Sequence, residues 1–259
     1  MGGTPRKLAW AWVAGIVTGI ALIGCGGASA AQPQQVADRI EENDAALRQA
    51  IEGWRASGEP PSSAAPADVV QQAAELQDHI AFLGDHPNLA ARAIPLLDGS
   101  LRGEIRRLYA ARRALLRLSA GSQHKKLKLG ARPPLADLVG FYGEAESRFG
   151  IGAHYLAAIH LVETKFGRVV NNSVAGAQGP MQFIPSTWQI YGHGGNIRDP
   201  HDAILAAARL LRANGAPRRY GPALRAYNPS GLYVDAVTRY AREIDRNPYA
   251  LYFLYTWEP

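Results

Sequence analysis

Cysteine is nearly absent from this chain: Cys25 is the only one in 259 residues, so no disulfide can form within it. Stability has to come from a packed core, which a chain of this length can bury. Acidic residues are missing from one long stretch, since no Asp or Glu stands between Glu163 and Asp199. No region reads as strand-rich and no internal repeat is evident, which points to a mainly α fold. The only long uncharged apolar run is Leu8–Gly24, too short to read as a spanning helix.

That run follows Arg6 and Lys7 and ends in Leu22-Ile23-Gly24-Cys25. The pattern is that of an export leader with a charged start and an apolar middle. Its end resembles a bacterial lipobox, in which Cys25 would be lipidated and become the first residue of the mature protein. Residues 1–24 are thus expected to be a signal peptide, with a membrane partner reached through a lipid anchor on Cys25. The competing reading is ordinary cleavage after Ala28-Ser29-Ala30, which would release a secreted protein. Either way the body of the chain is expected outside the cytoplasm, in the cell envelope. The formal charge is +6, two units of which come from Arg6 and Lys7. A modest positive balance suits an anionic wall and does not call for nucleic acid.

Beyond the leader, Gln34–Arg55 has helical spacing, and Gly58–Pro66 is a turn-rich break. Ala67–Leu83 is a second helix, ended by Gly84-Asp85-His86-Pro87. Leu101–Leu118 is amphipathic, with Ile105, Leu108, Tyr109, Leu115 and Leu116 on one side and Arg106, Arg107, Arg113 and Arg117 mostly off it. The basic stretch Arg102–Lys128 reads as a solvated arginine face, because aromatic interleaving is sparse. These helices form an accessory region over 31–130. Ser122–Arg132 reads as a linker, and Pro133-Pro134 opens a second domain over 133–259. Within it, Asp199-Pro200 reads as an N-cap with proline at the first helical position, and Asn214-Gly215 as a helix stop. Ser230–Ile244 carries Tyr233, Val237, Tyr240 and Ala241 on one stripe. The aromatic tail Tyr249–Trp257 is expected to cover the core.

Glu163 is the residue out of place. Ile151–Gly167 reads as a buried helix with Leu156, Ile159, Glu163 and Phe166 on one stripe. An ionised carboxylate in such surroundings costs several kcal/mol, so its pKa should rise, as a general acid requires. A salt bridge to Lys165 or Arg168 is the bland alternative. Downstream, Asn171–Trp188 reads NNSVAGAQGPMQFIPSTW, rich in glycine and amide side chains of the kind that bind sugar hydroxyls. The missing carboxylates speak against the usual two-carboxylate glycosidase arrangement.

The order Glu163-Thr164-Lys165-Phe166, then Ser173-Val174-Ala175-Gly176-Ala177-Gln178-Gly179-Pro180-Met181-Gln182-Phe183-Ile184-Pro185-Ser186-Thr187-Trp188, then Ala226-Tyr227-Asn228, resembles the catalytic core of the lytic transglycosylases. The likeness covers roughly residues 133–245 and touches both the soluble and the membrane-bound B-type branches. It implies a lysozyme-like α-helical domain that cuts the β-1,4 bond between N-acetylmuramic acid and N-acetylglucosamine in peptidoglycan glycan strands. It further implies that one glutamate serves as acid and then as base, and that the muramic C6 hydroxyl replaces water and leaves a 1,6-anhydro end. By motif match Glu163 takes the catalytic role, and Gln182, Met181, Tyr227, Asn228 and Ser173 take substrate-binding ones. No cofactor is implied. Two departures stand out: Pro180 occupies the place of the commoner leucine, and Ser173 sits one residue further from the glutamate than in the soluble branch.

Three other readings compete. His160 and Glu163 stand three apart on a helix, but no His-Glu-x-x-His pattern accompanies them, so no metal site is expected. A goose-lysozyme-like muramidase would share fold and acid but needs a group to position water. A catalytically silent wall-binding lipoprotein would have no need of the acid.

Overall fold

The computed structural model describes residues 32–58, 63–120 and 126–259. The leader, Cys25, the alternative cleavage site and parts of the two expected loop segments lie outside the described residues. Among the described residues eleven α-helices make up the fold and no strand is formed. None of these helices is long and apolar enough to cross a membrane.

The amino-terminal group comprises α1 (Pro33–Arg55), α2 (Ala67–Asp85), α3 (Pro87–Ala93), a 3-10 turn at Ile94–Leu96, and α4 (Gly99–Ser119). Pro87 cannot continue the ladder of α2, so the chain breaks at His86 and restarts with proline in the first turn of α3. In α4, Leu101, Ile105, Leu108, Ala111 and Leu115 recur at three- and four-residue spacing and are buried.

The carboxy-terminal group holds α5 (Leu135–Phe149), α6 (Ala153–Thr164), α7 (Pro185–Tyr191), α8 (Pro200–Ala213), α9 (Tyr220–Tyr227), α10 (Gly231–Arg246) and α11 (Ala250–Thr256). The α8 start follows the expected cap: the Asp199 carboxylate accepts the Asp202 N–H at 3.0 Å, with Pro200 next. Likewise Ser230 caps α10 by accepting the Leu232 N–H at 3.2 Å. The longest seam of the molecule runs between α4 and α10, and both groups share one hydrophobic core. α6 lies at its centre, buried without interruption from Leu156 to Thr164.

Two expectations need correction, and a third gains detail. The helix read over Ile151–Gly167 begins at Ala153 and stops at Thr164. Lys165, Phe166 and Gly167 take φ values of 52°, 58° and 83°, all left-handed, a conformation natural only to the glycine. Phe166 is therefore off the helical stripe, yet fully buried between His160 and Tyr255. The segment Ser122–Arg132, read as a linker, is described from residue 126 and there connects α4 to α5 without helix. Leu129 forms an antiparallel bridge with Val169, Gly130 N–H donates to Arg168 and Val170 N–H to Lys128, so backbone pairing pins this part. The arginines of α4 are not all a solvated face either. Arg107 reaches across the seam to the buried Glu243, and Arg113 donates to the Gly84 carbonyl at 2.9 Å.

Candidate active site

The end of α6 sets Glu163 into the core at 7% exposure. Its Oε1 accepts the Tyr233 hydroxyl at 2.7 Å, a contact brought from α10, seventy residues along the chain. Neither Lys165 nor Arg168 pairs with it: the Lys165 ammonium lies 5.9 Å from the centre of the Trp257 ring, and Arg168 binds Glu258 at 2.9 Å. Burial pushes Glu163 up to about 8, and the Tyr233 hydroxyl pulls weakly the other way. The carboxyl is mostly protonated at neutral pH. Tyr233 is itself held well above its usual value, first by burial and then by the nearby carboxyl, so it stays a neutral donor.

Tyr227, at the end of α9, lies parallel to Tyr233 with ring centroids 6.3 Å apart and planes 6° from parallel. Its hydroxyl donates to the Met181 carbonyl at 2.6 Å, and burial with the neighbouring Glu163 raises it well above the usual phenol value. Phe183 packs edge-on against Tyr227 and Trp188. An aromatic wall thus runs from Glu163 through Tyr233, Tyr227 and Phe183 to α7.

Met181 and Gln182 ride on a tight hairpin closed by reciprocal 2.9 Å bonds between Gln178 and Phe183. Gly179 is required in it: at φ 73°, a Cβ would lie 1.8 Å from the Ile197 carbonyl oxygen. Gln182 has φ 49°, and its amide donates to the Gly179 carbonyl at 2.9 Å and to that of Asn171 at 3.3 Å. Its Oε1 is buried with no partner, an orphan acceptor that invites a donor. Thr164, next to the acid, anchors this hairpin by donating to the Pro180 carbonyl at 2.6 Å while accepting the Gly167 N–H at 3.0 Å.

The other motif residues sit deeper. The Met181 side chain is fully buried, and its backbone carbonyl is the part that meets Tyr227. The Ser173 hydroxyl accepts the Ala177 N–H at 2.9 Å, which closes a reverse turn through Gly176. Asn228 is 1% exposed and accepts the Ser230 N–H at 3.1 Å, so it ties the end of α9 to the start of α10. His160, weighed as a metal ligand, shares a 2.8 Å hydrogen bond with Tyr142, and burial depresses it to about 3. A carboxylate and histidine cluster does occur elsewhere, at Asp199, His201 and Asp202. Its groups are engaged in the α8 cap, in the turn before it and with Glu144.

Residues 141–249 match the family model described as Transglycosylase SLT domain. That segment is similar to the transglycosylase SLT domain. It runs from within α5 to the residue before α11 and contains Glu163, the hairpin and both tyrosines. The SLT domain is lysozyme-like, and a helical region, α1–α4, precedes it. No curated protein and no solved structure matches the chain. Tyr233 is the residue in contact with Glu163 that sequence reasoning did not single out. It was visible only as one member of the α10 stripe, and nothing local marked its hydroxyl.

Proposed function

We propose that the chain is a peptidoglycan lytic transglycosylase in which Glu163 serves as acid and then as base. Its carboxyl donates a proton to the glycosidic oxygen between N-acetylmuramic acid and N-acetylglucosamine, and the bond to the muramic anomeric carbon breaks. The resulting carboxylate takes the proton of the muramic C6 hydroxyl, whose oxygen closes onto that anomeric carbon. No water is consumed, and Glu163 ends protonated as it began.

The observation that carries this reading is the solitude of Glu163. Burial raises its pKa against the pull of one neutral hydroxyl, and no second carboxylate is among the causes. A two-carboxylate hydrolase would need such a partner as nucleophile or as base for water. Tyr233 is suited to hold the carboxyl in one rotamer and to receive its charge when the proton leaves. Gln182 offers a buried acceptor without a partner and Tyr227 a wall for the sugar, while Met181, Ser173 and Asn228 shape the backbone around them.

The test is a digest of purified peptidoglycan by the chain and by Glu163→Gln, with the products weighed. Anhydro-muramic ends that disappear in the variant support the proposal. Reducing ends instead would assign a hydrolytic muramidase, and no cleavage by either protein would assign a wall-binding scaffold. We further propose export to the outer face of the membrane through a lipid on Cys25. Cys25→Ala should release the protein from the membrane fraction and abolish incorporation of labelled fatty acid.

A further inference from the structure

The turn that follows Glu163 is strained. Lys165 and Phe166, two and three residues beyond the acid, both hold positive φ without being glycine. Their N–H groups close the end of α6, Lys165 on the Leu161 carbonyl at 3.0 Å and Phe166 on that of His160 at 3.2 Å. Such a turn persists only where its surroundings over-determine it, and here they come from residues far away in the chain.

Arg132 reaches the turn from the segment before α5. Its Nε donates to the Lys165 carbonyl at 3.2 Å, and its two terminal nitrogens donate to the Glu258 carboxylate at 2.9 Å and the Trp257 carbonyl at 2.5 Å. Arg168, at the end of the turn, donates to the other Glu258 oxygen at 2.9 Å and to the Gly130 carbonyl at 2.7 Å. Glu258 thus bridges two arginines, one braced against the turn and one part of it. Its backbone is pinned in turn by α2: the Gln77 amide donates to the Glu258 carbonyl at 2.7 Å, and the Gln77 side-chain oxygen accepts the Glu258 N–H at 3.1 Å. Phe166 packs on Tyr255 at 6.0 Å between ring centroids, and the Tyr255 hydroxyl donates to the Pro133 carbonyl at 3.0 Å. The Glu258 side chain is 45% exposed, and ion pairs that open add little to global stability. What a carboxylate held at both oxygens supplies is direction, and the turn is where that direction is needed.

We infer that Glu258 is a positioning residue for the acid, latching the turn after Glu163 through Arg132 and Arg168 and tying it to α2 through Gln77. The inference rests on the proposed role of Glu163. The turn fixes where α6 ends, and with it the line from the Glu163 carboxyl to the Tyr233 hydroxyl at 2.7 Å. Thr164, between the acid and the turn, passes the same constraint to the hairpin through the Pro180 carbonyl at 2.6 Å. With the latch open, the last turn of α6 loosens, water reaches the carboxyl, and its pKa falls toward the ordinary carboxylate range. Gln77, Arg132 and Glu258 all lie outside the 141–249 match, so the flanking segments complete the site.

The test compares the full chain with Glu258→Ala, Gln77→Ala and Asp235→Ala, the last of which breaks an exposed pair with Arg239 on α10. Peptidoglycan cleavage is followed across pH, well below each melting temperature, together with the carbon resonance of the Glu163 carboxyl, assigned by its loss in Glu163→Gln. Glu258→Ala should lower kcat about tenfold with KM within about twofold, and bring the basic limb and the Glu163 titration down by about one pH unit. Gln77→Ala should move both the same way by less, and no change there would strike α2 from the latch. Asp235→Ala should match the parent, and a shift equal to that of Glu258→Ala would reduce the latch to a general effect of lost ion pairs. A Glu258→Ala chain that melts earlier yet keeps its kcat, its limb and the Glu163 titration overturns the inference, because a merely structural pair behaves that way. If the parent releases reducing ends or cleaves nothing, the transglycosylase proposal falls, while the carboxyl titration still decides the latch.

Discussion

The floor of the SLT domain and the seam between α4 and α10 each hold a buried carboxyl pushed up to about 8, Glu163 in the first and Glu104 in the second. The causes differ. Glu163 is raised by burial, opposed only by a hydroxyl. Glu104 is raised by burial together with the like charges of Glu243 and Asp44, and Arg48 opposes this from 2.8 Å. A carboxyl raised by isolation keeps its proton free to give. One raised within a network of charges is committed to that network, and its shift reports a structural joint. The same displaced pKa therefore carries opposite functional meaning in the two regions.

The sharpest way to break this comparison is to neutralise both acids. Glu163→Gln should lower cleavage by about 10³-fold, the scale of a lost general acid, measured as anhydro-muramic ends released per minute. The same change should stabilise the fold. A carboxyl raised from 4.5 to about 8 binds more protons folded than unfolded between those values, so stability falls as pH rises through that window. At pH 7 the cost is on the order of 3 kcal/mol, which Gln removes while it keeps an oxygen for Tyr233. A melting temperature that drops in Glu163→Gln would contradict the isolation of this residue.

His160, one turn earlier on α6, tests the floor from the acid side. Its folded value of about 3 lies below the ordinary 6.5, so the unfolded chain binds the extra proton and stability falls as pH drops from 6.5 toward 3. His160→Phe should flatten that slope, recovering about 2 kcal/mol at pH 5 relative to its own value at pH 7, as read from urea midpoints. Tyr233→Phe should cost about tenfold in rate through lost positioning. It should also move the basic limb of the rate profile above about 8, because the lost hydroxyl stabilised the carboxylate. An unmoved limb would show that Tyr233 is a packing residue only. The smallest effect on cleavage belongs to the seam: Glu104→Gln should leave the release of anhydro-muramic ends intact. Its value of about 8 already includes the opposing pull of Arg48, so the change should raise the melting temperature at pH 7, and a drop would show that the ion pair with Arg48 outweighs the burial.

Much of this was legible along the chain because the signals are local. The cap at Asp199, the break at His86-Pro87, the stripe of α4 and the anomaly of Glu163 each follow from residues within a turn or two of one another. The left-handed exit of α6 was not legible, since Lys165 and Phe166 show no preference for positive φ. They are held there by tertiary packing, with Phe166 buried and Arg132 on the Lys165 carbonyl. Nor could spacing reveal that the expected linker would pair with residues 168–170, because backbone pairing leaves no mark on composition.

Sequence by itself determined a helical chain, an acid on an apolar helix, a glycine-rich stretch with amide side chains and a shortage of carboxylates after the acid. These depend on side-chain type and short-range periodicity, which the chain carries wherever it folds. Only the tertiary structure decided that the Tyr233 hydroxyl meets Glu163 and that Arg107 and Glu243 join α4 to α10. Those pairings depend on which helix faces lie together across 70 and 136 residues of chain. Packing of the whole core sets them, and no local rule contains them.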